Sequence, residues 1–521
     1  MNIKLSDDPE IASKQESELK DWPIDGIEPF TPPTFTAASG PTPPRRFRHN
    51  YYDSPKALFE LFFNETVRGL IINHTNINGR RKHGNDWIDC DHKSLRAMIG
   101  TMIRMGKSPA ERLRQYWHTT RGWDPVRTVW AQGPFEMLYY SLHIETAERP
   151  SDSPTDRLWD VQTLSEQLNA NYAAALRPGS ELIVDETMIA YRGKHPSFQM
   201  MRRKPKRRGF KEWTIADPSG YVYRQSLYVG HTGIKEIDKG LMYRTVMDLM
   251  EPYLDENRTV ITDSAFTSQK LLKDLWARNT MGLGKVKGNT VFPFHARKSK
   301  LEPNQFVCIQ NSDCKALSAT VYFDGNRRSE YLSTASALAM TVVQIQPAAS
   351  DHSYPAPSVT SHYNRTCVGV DIANRYADFH SLHRKHYRSY MTFLEYFINV
   401  AMSNAWIIYR RYRREHSTKP IKDFDEWGWL LSDELIGDFC ACERQGRPPH
   451  PITAVHKHFL PTHETEDRLP QQRCSVCFSR VGGVAVGNQT AWRCACGAAV
   501  CHTNAECWPT HLATMRATAE P

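Results

Sequence analysis

Three aspartates of the 521-residue chain stand where the local pattern would bring a carboxylate to the edge of an element. Asp185 closes the apolar run Leu182-Ile183-Val184, Asp263 closes Thr259-Val260-Ile261-Thr262, and Asp371 precedes an amphipathic segment. If the two runs are parallel neighbouring strands, Asp185 and Asp263 project side by side. Carboxylates gathered in this way repel one another unless divalent cations neutralise them. Three acidic side chains can hold two Mg2+ ions about 3.5–4 Å apart, one activating an attacking water or 3′-hydroxyl and the other stabilising the leaving oxygen. Magnesium suits such a site because it prefers a few carboxylates together with water and phosphate oxygens, and Mn2+ accepts the same ligands. A plainer reading, with the three residues as helix caps and turn residues, fits the spacing at least as well.

A second cluster is made of softer ligands. Cys474-x-x-Cys477, Cys494-x-Cys496, Cys501-His502, Cys507 and His511 bring eight metal-ligating side chains into 38 residues. Eight is the number that two tetrahedral Zn2+ sites require. A cross-braced arrangement would group Cys474, Cys477, Cys501 and His502, leaving Cys494, Cys496, Cys507 and His511; the spacing leaves that pairing open. A module of this size has little core, so zinc would supply its folding free energy. RING and PHD modules have a similar outline, which keeps a ubiquitin-ligase or histone-reader role open.

The third feature is the stretch MRRKPKRRGFK, with Arg202, Arg203, Lys204, Lys206, Arg207, Arg208 and Lys211. It could bind backbone phosphates, positioning DNA without reading its sequence. It reads equally as a nuclear import signal or a solvated charged face. Arg410, Arg411, Arg413 and Arg414 form a weaker cluster that also suits a helix C-terminus.

The elements that must position these residues follow from periodicity. Residues 1–50 are acidic, then rich in Pro, Thr and Ser, and are expected to be disordered because they cannot bury enough apolar surface. From Ser54 the pattern is helical, with one apolar stripe from Leu58 to Ile71, a second helix carrying Leu95 to Ile103, and a third around Phe135–Ile144. At Glu181 strands begin. Lys211–Ala216 and Tyr221–Val229 flank Asp217-Pro218-Ser219-Gly220, a type I turn signal. After Asp263 comes a helix capped by Thr267 or Ser268, then a strand near Met281–Val286. A long amphipathic helix with Leu394, Phe397, Ile398, Ala401, Ala405 and Ile408 follows Asp371. Strand–Asp, hairpin, strand–Asp, helix, strand, then Asp before a helix is the element order of an RNase H-like fold.

Composition bounds the class. Hydrophobic content of 40% and aromatic content of 11% suit globular protein, and a formal charge of +9 is compatible with nucleic acid without being diagnostic. The run Phe393–Tyr409 carries Glu395, Asn399, Ser403 and Asn404, too short and polar to span a bilayer, so no membrane partner is expected. No signal peptide is visible, and half of the twelve cysteines cluster, which points to metal rather than disulfides in an intracellular protein.

Several stretches resemble one family in order. ELIVDETMIAYRGK, ITDSAFTS and VGVDIANRY are similar to the three catalytic blocks of piggyBac transposases, KPKRRGFKEW…GYVYRQSLYVG to their linking hairpin, and EYLSTAS to the end of their insertion. PKALFELFFNETVRGLIINHTN and IGTMIRMGKSPAERLRQYW resemble the N-terminal helical domain, and NVAMSNAWIIY the last catalytic helix. The resemblance runs from about residue 54 to residue 511. It implies that Asp185, Asp263 and Asp371 bind Mg2+ and catalyse excision through a DNA hairpin intermediate and integration at TTAA. It also implies that the cysteine-rich segment recognises transposon-end DNA, and that the protein is a nuclear homodimer acting on double-stranded transposon-end and target DNA. The third block of the family usually has a second acid where this chain has Asn374, and Gly where it has Val368. Asn374 and Asp378 share a helix face with Asp371, so Asp378 is the residue that could restore the missing charge.

The expected fold is thus multidomain α/β. A disordered region (1–50) precedes an α-helical N-terminal dimerisation and DNA-binding domain (51–180). An RNase H-like catalytic domain in two parts (181–288 and 366–415) encloses an insertion and linker (289–365). A connecting segment (416–468) leads to a C-terminal zinc-binding cysteine-rich module (469–515). Three functions compete: an active transposase, a domesticated DNA-binding protein descended from one, and a zinc-module protein-interaction factor. Retention of all three aspartates favours the first.

Overall fold

A computed structural model describes residues 20–23, 30–41, 52–119, 122–144, 158–202, 204–229, 240–287, 292–336, 340–344, 353–379, 387–416 and 422–441, with residue 13 and short pieces beyond 441. The chain forms two compact units, one of Met1–Ala110 with Glu136–Gly437 and one of Glu111–Phe135 with Asp438–Pro521.

The first unit begins with helices whose starts are set by capping. Ser54 accepts from Ala57 N at the head of α1 (Pro55–Phe59), Asn64 accepts from Val67 N at the head of α2 (Glu65–His83), and Asp91 forms a capping box with Ser94 before α3 (His92–Lys107). The apolar stripe from Leu58 to Ile71 is therefore divided between two helices. Phe62 and Phe63 are buried in the break, where the Asn64 side chain satisfies a backbone N–H that a continuous helix would have bonded itself. Helix α4 (Trp159–Ala175) leads into the sheet.

The sheet is mixed. Its central strands are β1 (Glu181–Ala190), β2 (Arg208–Ala216), β3 (Val222–Leu227), β4 (Thr259–Thr262) and β5 (Met281–Lys285). β2 pairs antiparallel with both β1 and β3, whereas β1–β4 and β4–β5 are parallel. The expected turn joins β2 and β3: Gly220 N donates to Asp217 O, and Gly220 has a positive φ of 88°. The segment expected as an insertion continues the same sheet. β6 (Gln305–Gln310), β7 (Ser318–Phe323) and β8 (Arg328–Ser333) form an antiparallel meander joined to β5 through β8. Ser268 caps α6 (Gln269–Ala277), as one of the two expected residues, and α5 (Leu241–Met250) precedes β4.

Helices α7 (Ser358–Thr366) and α8 (Gly369–Phe379) cover the sheet, where Ile183, Ala216, Ile261, Leu283, Tyr331, Val359, Tyr363 and Val370 form one buried cluster. Helix α9 (Ser389–His416) is the long amphipathic helix of the sequence reading. Its Asn404 accepts from Val222 N and donates to Val222 O, both at 2.8 Å, clamping the start of β3. α10 (Phe424–Ile436) packs against α3. No helix among the described residues is long and apolar enough to cross a membrane.

Part of the N-terminal region expected to be disordered is placed. Phe30 packs edge-on to Trp276 with ring centroids 5.6 Å apart, the Arg258 guanidinium lies 4.7 Å from the Phe35 ring centre, and Trp22 is buried. Aromatic side chains supply the apolar surface that composition alone seemed to deny this segment. Cys474, Cys477, Cys494, Cys496, Cys501 and His502 lie outside the described residues, as does Arg203; of the other expected zinc ligands, Cys507 is buried and His511 partly buried.

Candidate active site

The parallel pairing of β1 with β4 sets the first two aspartates. Val184 is the register partner of Thr262, so Asp185 and Asp263 each follow a paired residue on adjacent strands. β1 does not end at Asp185 as its apolar run suggested. It continues to Ala190 because β2 pairs with it from Ile183 onward, so Asp185 sits where the parallel partner stops and the antiparallel one carries on.

Asp371 lies in the first turn of α8, and two close approaches hold that helix in place. A side chain at Gly369 would put its Cβ 2.4 Å from the Asp217 carbonyl, and one at Gly220 would meet Ile372 Cγ2 at 2.6 Å. Both glycines let α8 lie directly on the β2–β3 turn.

Burial pushes the Asp185 carboxyl up to about 6, and the like charges of Asp263 and Asp371 add to that rise. The Glu186 N–H, which donates to Asp185 Oδ1 at 2.7 Å, and the Lys204 ammonium oppose it. Burial raises the Cys367 thiol to about 11, with Asp371, Asp185 and Asp263 adding and Lys285 opposing. Tyr363 is likewise pushed above its ordinary range by burial and by the neighbouring carboxylates. Asp263 and Asp371 thus both act on Asp185, and all three act on Cys367.

Their hard oxygen donors suit a small divalent cation. Among the described residues, however, no three acidic, histidine or cysteine side chains are close enough to enclose an ion. The carboxylates form an electrostatic cluster rather than a closed ligand shell.

Residues 54–406 match the family model described as Transposase IS4. The chain belongs to that transposase family. Within it the likeness is to the piggyBac type. The chain is 24% identical to the human PiggyBac transposable element-derived protein 2, over 68% of this chain and 62% of that protein. It is 22% identical to the human PiggyBac transposable element-derived protein 3, over 76% and 66% respectively. The match therefore spans just under two thirds of each relative's length. The fold resembles a cryo-EM structure of a piggyBac transposase synaptic complex with hairpin DNA, with a TM-score of 0.68, 21% identity, and coverage of 80% of this chain and 85% of that one.

In this transposase-family chain the basic stretch divides into two sets. Lys204 and Lys211 both pair with Glu186, at 3.3 and 2.7 Å, and Lys206 pairs with Asp378. Arg202, Arg207 and Arg208 are exposed, with the Arg208 guanidinium 5.2 Å from the Phe198 ring centre. The sequence reading passed over Glu186, although its place beside Asp185 was the available signal. Burial acts to raise its carboxyl, but the hydrogen bonds and charges of Lys211 and Lys204 bring it below the usual glutamate range.

Asn374 does share the Asp371 face, and its Oδ1 accepts from Thr187 Oγ1 at 3.1 Å. Asp378 is taken by Lys206, so it does not stand free to replace the missing acid. Sequence reasoning also missed Glu212, buried in β2 and contacted by Tyr396 of α9, and nothing in KEWT distinguishes it from an ordinary solvent-facing glutamate.

Proposed function

We propose that the chain is a DNA transposase of the piggyBac type that excises and integrates DNA by cut-and-paste at TTAA sites, with Asp185, Asp263 and Asp371 as the catalytic carboxylates of an RNase H-like domain. The observation that carries this reading is that Asp263, just after β4, and Asp371, in the first turn of α8, both act electrostatically on Asp185 of β1. Bound Mg2+ or Mn2+ would supply an activated water or 3′-hydroxyl and charge stabilisation at the leaving oxygen. Asp185, Asp263 and Asp371 would hold it, and Asp185 must be ionised to do so. Lys204, which pairs with Glu186 and acts on Asp185, stands where its ammonium group can face a phosphate. Arg202, Arg207 and Arg208 remain exposed for the DNA backbone, which fits a sequence-independent contact with double-stranded transposon-end and target DNA.

The same reading assigns residues 51–180 to dimerisation and DNA binding and the protein to the nucleus. It makes 469–515 a module holding two zinc ions for transposon-end recognition. The test is cleavage of transposon-end duplexes in Mg2+. Asp263→Asn or Asp371→Asn should abolish cleavage and leave DNA binding largely intact, since Asn keeps the shape but loses the charge. A variant that cleaves at the wild-type rate removes that residue from the triad. A second reading, a DNA-binding protein without transposition activity, draws on Asn374 in place of an acid and on carboxylates that do not close around an ion.

A further inference from the structure

Four side chains form one continuous hydrogen-bond chain from the interior of the sheet towards the aspartates. Glu212 Oε1 lies 3.2 Å from Thr214 Oγ1, that hydroxyl lies 3.1 Å from Thr187 Oγ1, and Thr187 Oγ1 lies 3.1 Å from Asn374 Oδ1. In the β1–β2 pair Thr214 is opposite Asp185 and Glu212 is opposite Thr187. Asn374 stands one turn beyond Asp371 on α8. The chain therefore ties the strand that carries Asp185 to the helix that carries Asp371.

Proton counting gives this chain two states. Three contacts need three protons, and the two threonine hydroxyls supply one each. When Asn374 accepts through its carbonyl oxygen, Thr187 donates to it and Thr214 donates to Thr187. The third proton must then come from Glu212 as a carboxylic acid. When Glu212 is ionised, Thr214 donates to Glu212 and Thr187 donates to Thr214. Asn374 must then reverse its amide and donate through Nδ2. Each state satisfies the three contacts of the chain, and no state with an ionised Glu212 and an accepting Asn374 does.

The surroundings of Glu212 allow both states. It is fully buried, and Tyr396, Gln225 (2.6 Å) and Thr214 all converge on Oε1. Oε2 is buried with no partner among the described residues, which penalises a full negative charge there. Facing charges are few. Lys206 favours the ionised form, while Tyr396 of α9 and Tyr172 of α4 are both held well above the ordinary tyrosine range, first by burial and then by Glu212. Burial pushes Glu212 itself up to about 7, so it is the member of this group that titrates near neutrality.

We infer that the proton on Glu212 sets which end of the Asn374 amide faces Thr187, making Glu212 a positioning residue that couples the interior of the sheet to the α8 face bearing Asp371. With Glu212 protonated, the amide turns its NH2 away from Thr187. With Glu212 ionised, it turns its carbonyl oxygen away, and that oxygen is the better neighbour for a cation. Only this last consequence rests on the function proposed above; the chain and its two states do not.

The experiment follows the protonated-carboxyl infrared band of the full-length, metal-free protein between pH 5 and 9. The wild type should show two components, one near 6 from Asp185 and one near 7, and only the one near 7 should be missing from Glu212→Gln. Asn374→Leu removes the competing acceptor, frees both threonine protons to run towards Glu212, and should lower the midpoint by about one pH unit, the equivalent of one hydrogen bond. Thr187→Val should lower it similarly, and Asn374→Leu should add nothing in that background. No Glu212-dependent band, or a midpoint indifferent to Asn374→Leu, overturns the proposal. In parallel, Glu212→Gln should remove a component near 7 from the pH profile of Mg2+-dependent DNA cleavage. Absence of cleavage in the wild type would count against the proposed function alone, because the infrared arm judges the chain without it.

Discussion

Asp185 and Glu212 lie on the same face of the same strand pair, and burial raises both carboxyls, yet their neighbours differ in kind. Asp185 is acted on by two further carboxylates, Asp263 after β4 and Asp371 in the first turn of α8, both exposed. Glu212 faces neutral donors in a closed interior, and a proton is enough to settle it. The Asp185 group has no such internal solution. Lys204 opposes part of the repulsion, but it is shared with Glu186. The contacts of Glu212 all come from the protein itself, whereas the Asp185 group would, on the function proposed above, be completed by a cation.

That contrast can be broken by stability measurements. Asp185 has a folded-state value near 6, above its ordinary 3.8, so its contribution is present at low pH and is lost as pH rises through about 6. Asp185→Asn should therefore raise the stability of the metal-free protein at pH 8, by roughly 1–3 kcal/mol in urea unfolding, and much less at pH 4. An unchanged stability at pH 8 would mean that Asp185 carries no repelled charge, and the two carboxyls would no longer differ.

A smaller effect should separate the arginines from the lysines. Replacing Arg202, Arg207 and Arg208 with Ala should weaken binding to any duplex alike and flatten its salt dependence by up to about one unit of slope per lost phosphate contact. The Lys206→Ala change should alter the slope less, since Lys206 is already paired with Asp378. Equal effects from both would show that the ion pair opens on DNA.

The smallest effect concerns the missing acid. Asn374→Asp should lower the Mg2+ concentration for half-maximal cleavage by a few-fold, whereas Asp378→Asn should move it less than about twofold, its charge being matched by Lys206. A larger shift for Asp378→Asn would make it the compensating residue after all.

The carrying elements of the site were legible because apolar runs ending in an acid, a Pro/Gly turn and a capped helix are local signals. Those signals made Asp185, Asp263 and Asp371 candidates, and the family resemblance set them above a plainer reading as caps and turn residues. Where β1 ends could not be read, since its last residues are held only by pairing with β2, which no pattern within 181–190 reveals. The break at Asn64 was hidden by an apolar stripe that continues across it. Glu212 was invisible for a stronger reason: it is buried by the fold, in contact with Tyr396, 184 residues away. The polar residues of α9 that argued against a membrane span turn out to be interior groups, with Asn404 holding β3.

The central claim, that the three aspartates jointly hold divalent cations, is tested most directly by counting Mn2+ bound to the full-length protein at pH 8. The wild type should bind two ions, and Asp185→Asn, Asp263→Asn and Asp371→Asn should each weaken binding by about tenfold or more. Equal Mn2+ binding by the wild type and all three variants would contradict it.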